Sequence, residues 1–133
     1  MFGDKVLIGY SNTSVDDKKR LYLPKFTCAE AGERLIVIPE DDRLAIYSSE
    51  VLEEYVDIID SIKDFKERKS FLKEFREYCE SIISEVTVDN SKRITLSNIE
   101  FYDNNIIVQG SGDRIVITGD FGYPELYRKR SSK

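Results

Sequence analysis

Val15-Asp16-Asp17-Lys18-Lys19-Arg20-Leu21-Tyr22-Leu23 returns later in the chain as Val88-Asp89-Asn90-Ser91-Lys92-Arg93-Ile94-Thr95-Leu96. Each copy has an apolar residue, an Asp, three polar residues ending in Lys, an Arg, and then apolar, Tyr or Thr, Leu. The copies lie 73 residues apart. A second echo, 71 residues apart, sets Leu35-Ile36-Val37 and Asp42-Arg43-Leu44-Ala45-Ile46 against Ile106-Ile107-Val108 and Asp113-Arg114-Ile115-Val116-Ile117. Two copies are too few for a solenoid. A duplicated β-unit closing on itself is the economical expectation.

Working outward, Val6 to Tyr10 is a short apolar run that reads as a first strand before the polar Ser11 to Ser14. Asp16 to Lys19 is a turn. Leu21-Tyr22-Leu23 is a second strand stopped by Pro24, which has no amide hydrogen for a sheet ladder. Cys28 to Gly32 reads as a helical turn or a loop. Leu35 to Ile38 and Arg43 to Tyr47 are strands either side of a Pro39 to Asp42 turn. The period then changes: Val51, Leu52, Tyr55, Ile58, Ile59 and Ile62 recur at helical spacing behind a Ser48 or Ser49 cap. A second helix is expected from Asp64, with Glu67 as its capping-box partner. Its stripe of Arg68, Phe71, Leu72, Phe75, Tyr78, Cys79, Ile82 and Ile83 reads as core packing.

The β-pattern resumes at Val86 and ends after Arg114 to Thr118. Gly119, Gly122 and Pro124 stand where the first unit entered its helix, so no second helical hairpin is expected. The organisation is therefore repeat 1 over about 5–47, a helical hairpin over about 49–84, repeat 2 over about 85–119 and a basic tail over 124–133. The fold class is α+β: a pseudo-two-fold β-barrel with an inserted helical hairpin.

The 133 residues suit one domain, and 41% hydrophobic with 34% charged residues is ordinary for a soluble one. No apolar run approaches the ~20 residues of a membrane helix. The first residues have no signal-peptide pattern, so a cytoplasmic protein without a membrane partner is expected. Histidine is absent and there are two cysteines. That removes the commonest general base and leaves too few ligands for a structural zinc site. Cys28 and Cys79 read as buried free thiols. No catalytic constellation appears, and neither enzyme, metal nor cofactor is expected. The net charge of −5 is localised: residues 49–85 hold 11 acidic and 6 basic residues, which leaves the remainder neutral. A locally basic face elsewhere can still meet a polyanion.

The twin turns have two readings. In one, Asp16 pairs with Arg20 and Asp89 with Arg93, and this only closes each turn. In the other, the turns also present Lys18, Lys19, Arg20, Lys92 and Arg93 to DNA phosphates, with Arg able to meet a guanine edge.

Leu7-Ile8-Gly9-Tyr10 followed by Val15 to Pro24, with the Asp-three-residues-Arg motif repeated around a helical pair, resembles the MraZ family within the SpoVT/AbrB-like group. The resemblance spans about Leu7 to Ile117. It implies two AbrB-like repeats and a nucleoid-associated regulator of a division and cell-wall gene cluster. It also implies a ring-shaped homo-oligomer binding tandem repeats in double-stranded DNA. The family's turn commonly has Gly before Arg; here Lys19 and Lys92 stand there. The rival expectation is a non-catalytic scaffold that keeps this fold and binds protein through its helices.

Overall fold

Leu35-Ile36-Val37-Ile38 has no polar alternation because both faces of its strand are covered. Leu35 and Val37 point into one buried cluster with Leu44 and Ile46, while Ile36 and Ile38 point into another with Ala45, Tyr47 and Leu52. The computed structural model describes Phe2 and residues 6–123. The expected repeat start at Lys5 and the basic tail at 124–133 lie outside the described residues.

In chain order the elements are β1 (Tyr10–Ser14), β2 (Arg20–Tyr22), β3 (Arg34–Glu40), β4 (Arg43–Ser48), α1 (Ser49–Asp60), α2 (Phe65–Glu80), β5 (Ser84–Thr87), β6 (Arg93–Thr95), β7 (Glu100–Gly110) and β8 (Ile115–Gly122). The fold is α+β. An antiparallel six-stranded sheet runs β1-β7-β8-β4-β3-β5, and β2 pairs with β6 in a separate two-stranded ribbon. As hydrogen-bonded units the two remain distinct, so the ladders do not form one closed ring.

The sheet order reads the same from either end once β1, β3 and β4 are matched to β5, β7 and β8. The first strand of each half pairs with the third strand of the other: β1 with β7 and β5 with β3. The ribbon repeats this relation. Leu21 faces Ile94, and Arg20 and Tyr22 face Thr95 and Arg93. The Leu23 amide donates to the Lys92 carbonyl and the Leu96 amide to the Lys19 carbonyl, both at 2.8 Å. The larger core lies between ribbon and sheet, where Leu21, Leu35, Ile46, Ile94, Val108 and Ile117 are essentially inaccessible. Each such side chain contributes roughly 1.5–3 kcal/mol by leaving water.

Both helices start at the expected caps. Ser48 Oγ accepts from the Glu50 amide at 3.3 Å, and Asp64 Oδ1 accepts from the Lys66 and Glu67 amides at 2.9 and 3.1 Å. Several expectations need correction. The first strand is the polar stretch Tyr10–Ser14, not Val6 to Tyr10, because backbone pairing to β7 at a sheet edge outweighs composition. Leu7 makes only an isolated bridge to Gly112, and a Cβ on Gly9 would lie 2.5 Å from the Phe26 ring. Strand β7 begins at Glu100, six residues before the expected Ile106, and carries an irregularity between Phe101 and Ile106. Of the second stripe only Ile83, beyond the end of α2, lies in the core, since α2 itself buries no residue fully. Phe75 and Tyr78 rest half-buried on the second cluster while Phe71 is 45% exposed. Cys28 is exposed and Cys79 half-buried, and both are free. No described helix is long and apolar enough to cross a membrane.

Candidate nucleic-acid interface

An Asp followed by two polar residues favours a turn because its carboxylate can accept from amides just downstream. Both motifs do this in the same way. Asp16 Oδ1 accepts from the Lys18 and Arg20 amides at 3.0 and 2.8 Å. Asp89 Oδ1 accepts from the Ser91 and Arg93 amides at 2.8 and 2.9 Å. The backbone bonds match as well: the Lys19 and Lys92 amides donate to the Asp16 and Asp89 carbonyls, each at 3.0 Å, and the Asp amides to the Arg20 and Arg93 carbonyls. The Arg20 amide bond holds the Asp16 carboxyl below its ordinary range, against a partial opposing effect of burial; the Arg20 guanidinium adds to the lowering. The Arg93 amide does the same for Asp89.

Closing such a tight turn forces the residue before Arg into the left-handed region. Lys19 has φ 62° and Lys92 φ 63°. A glycine would sit there without steric cost, whereas an L side chain is strained by roughly 1 kcal/mol. Nothing in the letters Lys-Lys-Arg or Ser-Lys-Arg announces that conformation.

The turns differ in their arginines. Arg20 Nε donates to Asp16 Oδ2 at 2.6 Å. Arg93 Nε lies 3.3 Å from Asp89 Oδ2 but off the hydrogen-bonding line, and this buried nitrogen has no hydrogen-bond partner among the described residues. Arg93 Nη1 instead approaches Asp16 Oδ2 across the ribbon at 4.0 Å.

The ribbon thus brings together all seven residues singled out in the sequence: Asp16, Lys18, Lys19, Arg20, Asp89, Lys92 and Arg93. The Asp–Arg pairing that closes each turn is present. Lys18 is exposed, and Lys19, Arg20, Lys92 and Arg93 are partly so. Residues 16–20 and 89–93 each carry a net charge of +1, against −5 on 49–85.

Two features beyond the turns had no signal in the sequence. A depression of about 250 Å³ beside the first turn is lined by Lys19, Ser97, Asn98, Glu100, Gly122 and Tyr123, among others. Lys19 Nζ reaches the Ser97 carbonyl across its edge at 3.4 Å. On the far side of the sheet, Arg114 donates to Glu40 at 3.2 Å, and Tyr78 donates to Glu40 at 2.7 Å. Tyr47 joins Tyr78 at 3.0 Å, and Tyr55 donates to Asp113. Burial, with the Tyr47 and Glu40 contacts adding to it, pushes the Tyr78 hydroxyl far above its ordinary value, so it stays a donor. This network ties both helices to the sheet through residues up to 74 positions apart. Beside it lies an apolar groove of about 560 Å³ between the helices, lined by Leu52, Tyr55, Ile59, Phe71 and Phe75.

No family model matches the chain, and no curated protein matches it.

Proposed function

We propose that this chain is a sequence-specific, non-enzymatic regulator of transcription that binds double-stranded DNA through its twin turns. The observation that supports the reading is the pair of left-handed lysines, Lys19 and Lys92. Each accepts backbone strain at a position where Gly would relieve it, and strain of that kind collects at functional sites. A positive charge on the ribbon is what that strain retains. The matched turn bonds and the mirrored strand order fit two AbrB-like repeats in a pseudo-two-fold barrel. With the MraZ resemblance, they support a repressor of a division and cell-wall gene cluster, working at the nucleoid as a ring-like homo-oligomer. Ile58, Phe65 and Phe71, 59%, 64% and 45% exposed, give the helical hairpin an apolar face for other copies.

Each phosphate contact adds roughly −0.9 to the slope of log affinity against log salt, so five basic groups set a ceiling of about −4.5 per subunit. Several subunits acting together would multiply both slope and avidity. The test is an anisotropy titration with the chain's own upstream DNA at several salt concentrations. The Lys19→Ala, Lys92→Ala double variant is expected to bind weakly with a flatter slope. An unchanged slope in a folded double variant would sink the DNA reading. It would favour the second reading, in which the exposed apolar face of the hairpin holds a protein partner.

A further inference from the structure

The outward face of the β2–β6 ribbon carries two residues that the turns do not account for. Both strands show the same burial pattern: a half-buried Arg, a buried aliphatic residue, then an exposed third residue. Leu21 and Ile94 face the core, so Arg20, Tyr22, Arg93 and Thr95 share the opposite face. The register sets Arg20 across from Thr95 at one end of the ribbon and Arg93 across from Tyr22 at the other. The two-fold relation between the halves thus keeps the arginines alike and matches Tyr22 with Thr95. Tyrosine and threonine are both good strand formers, so strand pairing alone calls for neither in particular. Asp16 takes only the Nε of Arg20, which leaves the two terminal nitrogens of that guanidinium for an outside acceptor.

We infer that this face enters the major groove of the bound duplex, where Tyr22 and Thr95 determine specificity and make the two halves of the site unlike. The inference rests on the DNA reading of the turns. Side chains two apart on a strand stand about 6.8 Å apart, close to two base-pair rises of about 3.4 Å. Paired strands lie about 4.8 Å apart, so the four side chains fit a major groove about 12 Å wide. Arg20 and Arg93 make the same demand at either end, a guanine edge. The other two residues do not. The Thr95 methyl suits a thymine methyl, and its hydroxyl stays close to the backbone. The Tyr22 ring is larger, and carries a hydroxyl that donates or accepts to a point threonine does not reach.

The work is divided accordingly. The turn lysines meet phosphates and supply affinity, while the outward ribbon residues meet base edges and supply preference. A protein partner is the competing occupant, since exposed Tyr and Arg also suit protein contacts. DNA is favoured because the four outward residues carry two positive charges and no negative one. Their spacing along the ribbon also follows the rise of a duplex.

The experiment selects sites for full-length wild type, Tyr22→Thr and Thr95→Tyr from a pool of duplexes with a randomised centre, then titrates each protein by anisotropy at several salt concentrations. Wild type should enrich a motif with two unlike halves. Tyr22→Thr should enrich one whose halves match, and Thr95→Tyr the other matched motif. On the wild-type motif, a changed base pair in the Tyr22 half should weaken wild type roughly 5–150-fold, and should be nearly neutral for Tyr22→Thr. The salt slope should not move in either variant, because no charge is lost. A purely structural role for these residues would leave the motif alone. The same motif from all three proteins overturns the inference, as does a wild-type motif with matching halves or salt-dependent binding with no motif at all. The turn reading then stands if the Lys19→Ala, Lys92→Ala variant still binds weakly with a flatter slope. If wild type binds no duplex, the DNA reading and the inference fall together. The two substitutions make reciprocal predictions, so either one that keeps the fold by circular dichroism decides the matter.

Discussion

The β2–β6 ribbon and the α1–α2 hairpin hold opposite relations to the rest of the molecule. The ribbon has two strands of three residues each, yet Leu21 and Ile94 at its centre are 0% and 1% exposed. Its turns are fixed by bonds that repeat across the two halves. The hairpin has 12 and 16 helical residues, and α2 buries none of them fully. Anchoring here comes from where side chains point and how many backbone groups are satisfied; the length of an element says little about it. The polar ribbon turns are held by carboxylate-to-amide bonds that repeat in both halves. The hairpin leaves Ile58, Phe65 and Phe71 exposed.

Leu21→Ala breaks the ribbon at its centre and should lose about 2–5 kcal/mol of stability, read by urea denaturation. A loss under about 1 kcal/mol would mean that the ribbon is not the anchored region.

Acid tests the turns themselves. The folded-state pKa values of Asp16 and Asp89 are depressed. Their stabilising contribution is then present above the unfolded value of about 3.9, and is lost as pH falls through the folded values. The urea midpoint should drop over that acid range. In the Asp16→Asn, Asp89→Asn variant the drop should be shallower; an identical pH profile would detach the carboxylates from turn stability.

Lys19→Gly and Lys92→Gly separate strain from charge. Each should raise stability by about 0.5–1 kcal/mol, because Gly removes the left-handed cost. Each should also weaken DNA binding. Stabilisation without weaker binding would leave the strain unexplained by function.

Phe71→Ala should change the stability of the isolated subunit by less than about 0.5 kcal/mol. Light scattering is the sharper measurement there, since the proposed oligomer should lose mass if this face is covered by another copy. The smallest effect expected is from Glu53→Lys or Asp57→Lys, which should leave specific DNA affinity unchanged. A large site-specific loss from either, with the assembly intact, would move the interface to the hairpin.

Periodicity carried much of the architecture. The change from alternation to three-and-four spacing at Val51, and the capping residues Ser48 and Asp64, located both helices. The repeated Asp–Arg motif located the turns and all seven of their singled-out residues. What was not legible depended on partners distant in sequence. Tyr10–Ser14 is a strand because β7 lies beside it, which Ser-Asn-Thr-Ser does not announce. Phe71 looked like core because spacing reveals a helical face but not whether anything covers it. The φ of Lys19 and Lys92 follows from the geometry of the closed turn, which no local letter announces. The Glu40–Arg114–Tyr78 network joins three separate elements, and no local pattern marks it.

The exchange of strands between the halves has a consequence for synthesis. Tyr10 pairs with Gln109, so β1 is synthesised 99 residues before its partner is made. At about 5–20 residues per second that is a wait of roughly 5–20 s for the nascent chain. An apolar strand left unpaired that long would invite association with other chains. The serines, asparagine and threonine of β1 suit a segment that must spend its first seconds in water.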